Sequence, residues 1–322
     1  RLLGLGYPAP TTMFRWCTDM LKISNADRFI QETVSKHGEA IVLLGTRKSE
    51  SVVREKSMNM YKIKDSVLSR HSQFDQTFVY TPIEDFSSED VWNYLLENEN
   101  PWGEENRDLL AMYQDANASE CPLVIDTTTP SCGGGRFGCW TCTVVDKQSY
   151  LTNMIENDEK NEWMEVLAEL RQKLKDTQDS SVWEKYRERK RRSGRIDLKN
   201  HGEGHTPGPY KMDFRIQYLR DLLKGQMKIQ KLKNDPDMEL ILEEEIHEIQ
   251  RIWRMEQGDW KNSAYAVYAE ITGKNLNNVQ NELGNFSNTE QELLEETCSN
   301  HNIPFKLVSN LLNLELKSQG DR

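Results

Sequence analysis

The chain has 322 residues, of which 37% are hydrophobic and 29% charged, and it carries a formal net charge of −11. That length suits two domains with a sizeable core. No apolar run reaches the roughly 18 residues of a membrane-spanning helix, and the acidic balance excludes a generic DNA-coating protein. No secretory leader is visible, so a cytoplasmic protein is expected.

The charge is unevenly spread. Residues 1–72 hold 12 Lys/Arg and 7 Asp/Glu, whereas residues 234–322 hold 7 Lys/Arg and 17 Asp/Glu. The first part suits an anionic ligand such as a nucleotide; the last reads as an acidic helical module. The chain opens on Arg1, and "RLLGLGYPAP" reads as the interior of something longer.

In chain order, "DRFIQETVSKH" (27–37) predicts a helix stopped by Gly38. "EAIVLLGTR" (39–47) predicts a buried strand with a loop at Gly45. "TFVY" (77–80) predicts a second strand. "SSEDVWNYLLE" (87–97) places Ser87 and Asp90 at capping-box spacing ahead of Val91, Trp92, Leu95 and Leu96, so a helix starts there. Strands alternating with helices indicate an α/β fold with a parallel sheet. Beyond residue 105 the pattern is mainly helical, with helices expected over 163–175, 181–192, 213–233, 237–257, 259–272 and 289–301. A Gly- and Pro-rich loop, "HGEGHTPGPY", falls at 201–210.

Two basic stretches stand out early. "FRWCTDMLKI" (14–23) carries Arg15, Cys17 and Lys22. "LLGTRKSESVVREK" (43–56) carries Gly45, Arg47, Lys48, Glu50 and Arg54 directly after a predicted strand. In open α/β sheets, ligands bind beyond the carboxyl ends of the strands. Arg47 and Arg54 share a face if a helix begins near Ser49, and such a guanidinium pair suits a polyphosphate. A solvated charge cluster is the plainer alternative. Cys17, between two cations, is a candidate reactive thiol; a structural cysteine is the alternative.

Further on, "SCGGGRFGCWTCTVVDK" (131–147) gathers Cys132, Cys139 and Cys142, with Cys121 upstream in "ECPLVID". The pattern is C-x10-C-x6-C-x2-C. Four thiolates need a cation or cluster to offset their repulsion, and glycines leave backbone N–H groups available to sulfur. A four-iron cluster and structural zinc both remain open. Zinc sites commonly pair two CxxC knuckles and one is present here, while disulfides fit poorly in a cytoplasmic protein. Later, "EKYRERKRRSGRIDLK" (184–199) reads as a basic helix end able to grip phosphates, or as a solvated face.

Taken together, "RWCTDMLKI", "LLGTRKSESVVR" and "TPIEDFSSEDVWNYL" resemble the 3′-phosphoadenylylsulfate (PAPS) reductase-like ATP pyrophosphatases. Adding "SCGGGRFGCWTCTVVDKQ" narrows the resemblance to the sulfurtransferase subunits of DNA phosphorothioation, the DndC family. The specific motifs lie within residues 1–150. The resemblance implies an adenine-nucleotide alpha-hydrolase-like domain over 1–115 and an iron–sulfur segment over 116–150; pattern and charge divide the rest into a helical segment over 151–235 and an acidic helical module over 236–322.

It further implies ATP cleavage to AMP and pyrophosphate with Mg²⁺, activation of a DNA phosphate oxygen, and sulfur supplied by a cysteine desulfurase within a multi-subunit phosphorothioation complex. Cys17, Arg47 and Arg54 would be catalytic. Arg15, Lys22, Gly45, Arg47 and Arg54 would hold the nucleotide, and Cys121, Cys132, Cys139 and Cys142 a [4Fe-4S] cluster. The family's glycine-rich SGGxDS-type loop is not found; the resemblance places it upstream of Arg1. Two other functions compete: a PAPS or adenylylsulfate reductase, and a zinc-stapled DNA-binding module.

Overall fold

A computed structural model describes residues 1–103, 105–107, 109–111, 113, 139–144, 149–198, 204–276 and 288–320. They form two compact units. One comprises Pro10–Cys139 and Val144–Asn161; the other comprises Arg1–Ala9, Trp140–Thr143 and Glu162–Arg322.

The first of these is the α/β unit. Its chain begins with Trp16–Thr18, a π-helical turn over Asp19–Ile23 and the helix Ser24–His37, which Gly38 ends at φ 87°. Gly38 occupies a conformation that side chains with a Cβ rarely adopt, so it stops the helix as expected. Strand β1 (Ala40–Leu43) follows, then β2 (Leu68–Arg70) and β3 (Thr77–Tyr80). The sheet order is β1-β3-β2. β1 and β3 are parallel, with Ala40 opposite Thr77 and Leu43 opposite Tyr80. β2 runs antiparallel to β3.

The expected parallel sheet is therefore mixed. β2 escaped the sequence reading because "LSR" offers a single apolar residue and no alternation. β1 also departs from the buried strand expected: Ile41 is 53% and Leu43 67% exposed. Among the described residues β1 is an edge strand, paired on one side only, and a strand needs cover on both faces to be fully buried.

The helix Ser88–Glu97 starts as its sequence dictates. The Ser87 hydroxyl accepts from the Asp90 N–H at 3.1 Å, and the Asp90 carboxylate accepts from the Ser87 N–H at 2.7 Å. Both satisfy donors that an uncapped helix leaves open. Trp92 then turns inward, 8% exposed. Ser87→Ala is expected to destabilise the α/β unit by about 1 kcal/mol, measured by urea unfolding; no shift in the midpoint would contradict a working cap.

The second unit is helical. Its main elements are Met164–Asp176, Met212–Lys233, Glu243–Gln257, Ser263–Thr272, Asn288–Asn300 and Phe305–Gly320. The last was not foreseen. The helix expected over 237–257 begins only at Glu243. Residues 240 and 241 instead donate their N–H groups to the Gln226 side-chain carbonyl, at 2.8 and 3.1 Å.

The core gathers Leu170, Leu174, Leu219, Leu223, Ile229, Ile246, Trp253 and Val267. At Gly225 the helix Met212–Lys233 meets Met164–Asp176 closely: a Cβ there would stand 3.0 Å from both Leu170 and Val166. Residues 1–9 are sewn into the same unit. The Trp253 indole donates to the Leu3 carbonyl at 2.9 Å, and Arg215, 1% exposed, donates to the carbonyls of Gly4 (3.0 Å) and Tyr210 (2.7 Å). Burial lowers the Arg215 guanidinium to about 10, still protonated at neutral pH.

The residues expected to be a helix over 181–192 are largely not one. The helix spans Trp183–Tyr186 only. Beyond it the chain is extended and pairs with residues 207–211: Glu188 N–H donates to Pro209 O at 2.8 Å, and Gly208 N–H to Glu188 O at 2.6 Å. Backbone groups satisfied by this long-range pairing are not available to continue a helix. No helix among the described residues is long and apolar enough to cross a membrane.

Candidate nucleotide site

The two parallel strands end side by side, and their following loops stay together. Leu44 N–H donates to Tyr80 O at 3.0 Å, and Lys48 N–H to Glu84 O at 2.9 Å. The loop after β1 carries Gly45, Arg47 and Lys48; the loop after β3 carries Glu84 and Asp85 and leads into Ser88, the first residue of the next helix. This is the carboxyl end of the parallel pair, where ligands bind in open α/β sheets.

Charged side chains fill that end. Arg47 donates to the Ser88 hydroxyl at 3.3 Å, and its Nε lies 3.6 Å from Glu50 Oε1. Arg54 pairs with the other oxygen of Glu50. Lys48 Nζ sits 2.6 Å from Asp85 Oδ1 and 3.3 Å from Glu84 Oε1, and Lys62 Nζ sits 2.7 Å from that same Glu84 oxygen. Hydrogen bonding to Asp85 raises Lys48, and hydrogen bonding to Lys48 lowers Asp85. Glu84 is lowered by its hydrogen bond from Lys62, with Lys48 adding to it. Arg47, Lys48, Arg54 and Lys62 thus face Glu50, Glu84 and Asp85, a surplus of one positive charge.

Arg47 and Arg54 converge, but not for the reason the sequence suggested. The helix expected from Ser49 is a short 3-10 turn, Lys48–Glu50, and the α-helix Val52–Tyr61 begins after Ser51, whose hydroxyl caps Arg54 N–H at 3.2 Å. The two arginines meet because Glu50 lies between them. The donor set suits a polyphosphate that takes the place of that carboxylate, since guanidinium pairs with phosphate as with carboxylate.

Gly45 is not sterically required by the fold. Its φ lies outside the left-handed region, and a Cβ would meet only Ile83 Cδ1, at 3.9 Å. Arg15, Cys17 and Lys22 belong to the same unit. Arg15 and Lys22 are exposed and Cys17 is half-buried. Among the described residues no hydrogen bond or ion pair joins these three to the Arg47–Glu50–Arg54 group. Lys62, Glu84, Asp85 and Ser88 were not singled out from the sequence. The carboxyl-end rule already applied to β1 would have found the last three, applied to "TPIEDFSS" after β3.

Of the four candidate cluster ligands, Cys121 and Cys132 lie outside the described residues. Cys139 is exposed and Cys142 half-buried. The Cys142 carbonyl accepts from Arg171 Nε at 2.8 Å and the Thr143 carbonyl from Lys175 Nζ at 3.2 Å, which fixes the backbone after the CxxC step within the helical unit. Among the described residues no group of three or more His, Cys, Asp or Glu side chains converges to hold a metal ion.

Residues 6–144 match the phosphoadenosine phosphosulfate reductase domain, a domain of the adenine-nucleotide alpha-hydrolase-like class. The matched stretch is under half of the 322 residues and contains the whole of the charged site. No curated protein and no solved structure matches the chain.

Proposed function

We propose that the protein is the sulfurtransferase of DNA phosphorothioate modification, and that it cleaves ATP to AMP and pyrophosphate to activate a backbone phosphate. The observation that carries the ATP step is the convergence of Arg47 and Arg54 beyond β1, inside the stretch that matches the reductase domain. An oxygen of the DNA phosphate attacks the α-phosphorus, and pyrophosphate leaves. Arg47 and Arg54 stabilise the charge that develops on the departing phosphates. Lys48 and Lys62 hold the loop that carries Glu84 and Asp85 against the β1 loop.

The adenylated phosphate is then open to sulfur. The outer sulfur of a persulfide, supplied by a cysteine desulfurase, attacks phosphorus, and AMP leaves with the oxygen. A dithiol reductant cleaves the remaining S–S bond. The step from ATP chemistry to DNA rests on the cysteine-rich stretch at 131–147. Four thiolates are a suitable donor set for iron, and Cys121, Cys132, Cys139 and Cys142 would hold the [4Fe-4S] cluster. When bound, it would supply either an electron store or a cross-link in the chain.

One observation weighs against a PAPS reductase. In this chain Cys298 is the sole cysteine after Cys142, and it is 4% exposed within the helix Asn288–Asn300. A thiol that attacks a nucleotide needs access and thiolate character. Cys298 instead packs as a small buried hydrophobe.

The test is the DNA itself. DNA from cells carrying the protein with its partner subunits is digested, and phosphorothioate dinucleotides are quantified by mass spectrometry. Wild-type cells are expected to contain them, and Cys139→Ser to reduce them at least about 100-fold, the scale on which losing a catalytic constellation acts. Normal linkage levels in the variant would remove the cluster from the account. DNA without such linkages in wild-type cells would end the sulfurtransferase reading.

A further inference from the structure

We infer that the segment Arg187–Leu198 is a rigid basic hairpin that contacts the phosphate backbone of duplex DNA. The choice of DNA rests on the function proposed above; the existence of the surface does not. Between residues 185 and 195 the chain carries seven Lys/Arg and one acidic residue, Glu188, in a protein of net charge −11. A basic run of this kind is ordinarily a solvated face. The structure divides its cations into two groups with different roles.

The first group builds the platform. Arg187 donates to the carbonyls of Gly208 (2.8 Å) and Pro207 (2.9 Å), and Arg191 donates to Pro207 O at 3.1 Å. Arg191 also lies 3.3 Å from Asp197, and Arg192 lies 3.0 Å from Glu256. The backbone is fixed by the same pairing: Lys211 N–H donates to Tyr186 O at 2.9 Å, and Arg191 N–H to Arg195 O at 2.8 Å across the turn. At Gly208 the two segments approach so closely that a Cβ would stand 1.8 Å from the Lys190 carbonyl oxygen. Strand Asp197–Leu198, β4, pairs with His205–Thr206, β5.

The second group is what remains once Lys185, which lies 5.0 Å over the Tyr186 ring, is set aside. Arg189, Lys190 and Arg195 are exposed. Among the described residues no hydrogen bond or ion pair engages their side chains. Three cations left without carboxylates, on a backbone held by its neighbours, are placed in advance for an external anion, which lowers the ordering cost of binding. Arginine forks suit phosphate oxygens. A polymer of regularly repeated phosphates can engage all three at once and release counterions as it does so.

The experiment measures binding of a labelled 20-base-pair duplex to the whole protein by fluorescence anisotropy over a series of KCl concentrations. The variant combines Arg189→Ala, Lys190→Ala and Arg195→Ala, which remove side chains only and leave the platform's backbone bonds in place. A control combines Lys228→Ala and Lys231→Ala, exposed on the helix Met212–Lys233. The triple variant is expected to bind at least about 10-fold more weakly near 0.1 M salt, with a log–log salt slope shallower by about 2 to 3. The control should leave both unchanged, and ATP binding should be unchanged in all three proteins.

A triple variant with the wild-type slope would overturn the hairpin assignment and leave the proposed function standing. Absence of duplex binding by a wild-type protein that still cleaves ATP would overturn both the hairpin and the DNA substrate. Equal affinity for a polyglutamate peptide of matched charge would overturn the nucleic-acid assignment alone.

Discussion

Trp253→Ala is expected to cost the helical unit about 3–5 kcal/mol of stability. The indole is fully buried within a cluster that includes Leu219, Leu223 and Ile246, each 0% exposed. Truncation leaves a cavity that helices on both sides cannot close without moving. It also removes the donor to the Leu3 carbonyl, a buried acceptor whose loss of partner adds its own penalty. Residues 1–9 would keep the bonds from Arg215, from Tyr210 N–H to Gly6 O at 2.8 Å, and to the Tyr210 hydroxyl, which accepts from Ala9 N–H at 3.0 Å. Urea unfolding followed by far-ultraviolet circular dichroism measures the loss. A cost under about 1 kcal/mol would mean that the helical core does not pack around this side chain.

Arg47→Ala is expected to slow ATP cleavage by about 10²- to 10³-fold, the usual consequence of removing one donor aimed at developing charge. Stability should scarcely change. The side chain's ion pair with Glu50 is partly open to solvent, with relative exposures of 15% and 28%, and such pairs contribute about 1 kcal/mol or less. Arg47→Lys should recover part of the rate, because it restores the charge but not the fork. Steady-state release of pyrophosphate, compared with the thermal midpoint, separates the two effects. Equal losses of rate and stability would make Arg47 a structural residue.

Local rules read the capped elements well. The Ser87–Asp90 box, the four residues "TFVY" and the stop at Gly38 each depend on neighbours within a few positions, and each stands where the sequence put it. Long-range pairing decided the rest. The basic run after Tyr186 has strong helix formers, yet its backbone bonds to residues 207–211, twenty positions away. No periodicity within the run encodes that partner. Ile41 and Leu43 read as core because they are apolar, but burial depends on what lies across the sheet.

The candidate site was legible by half. The arginines were found from their position after a strand. Their actual meeting point, Glu50, was read as one more charge in the stretch rather than as the group that gathers them. Glu84 and Asp85 sit in a segment used for its family likeness and for its capping box, not for its place beside β1.

The central claim is that the carboxyl end of β1 and β3 works on ATP. The most direct measurement incubates the protein, purified without oxygen, with Mg²⁺, duplex DNA, a cysteine desulfurase with cysteine, a dithiol reductant and ATP labelled at the α- and γ-phosphates, and identifies the products. The account predicts AMP and pyrophosphate in equal amounts, with the yield falling in the Arg47→Ala protein. ADP and orthophosphate as the products, or ATP left intact, would contradict it.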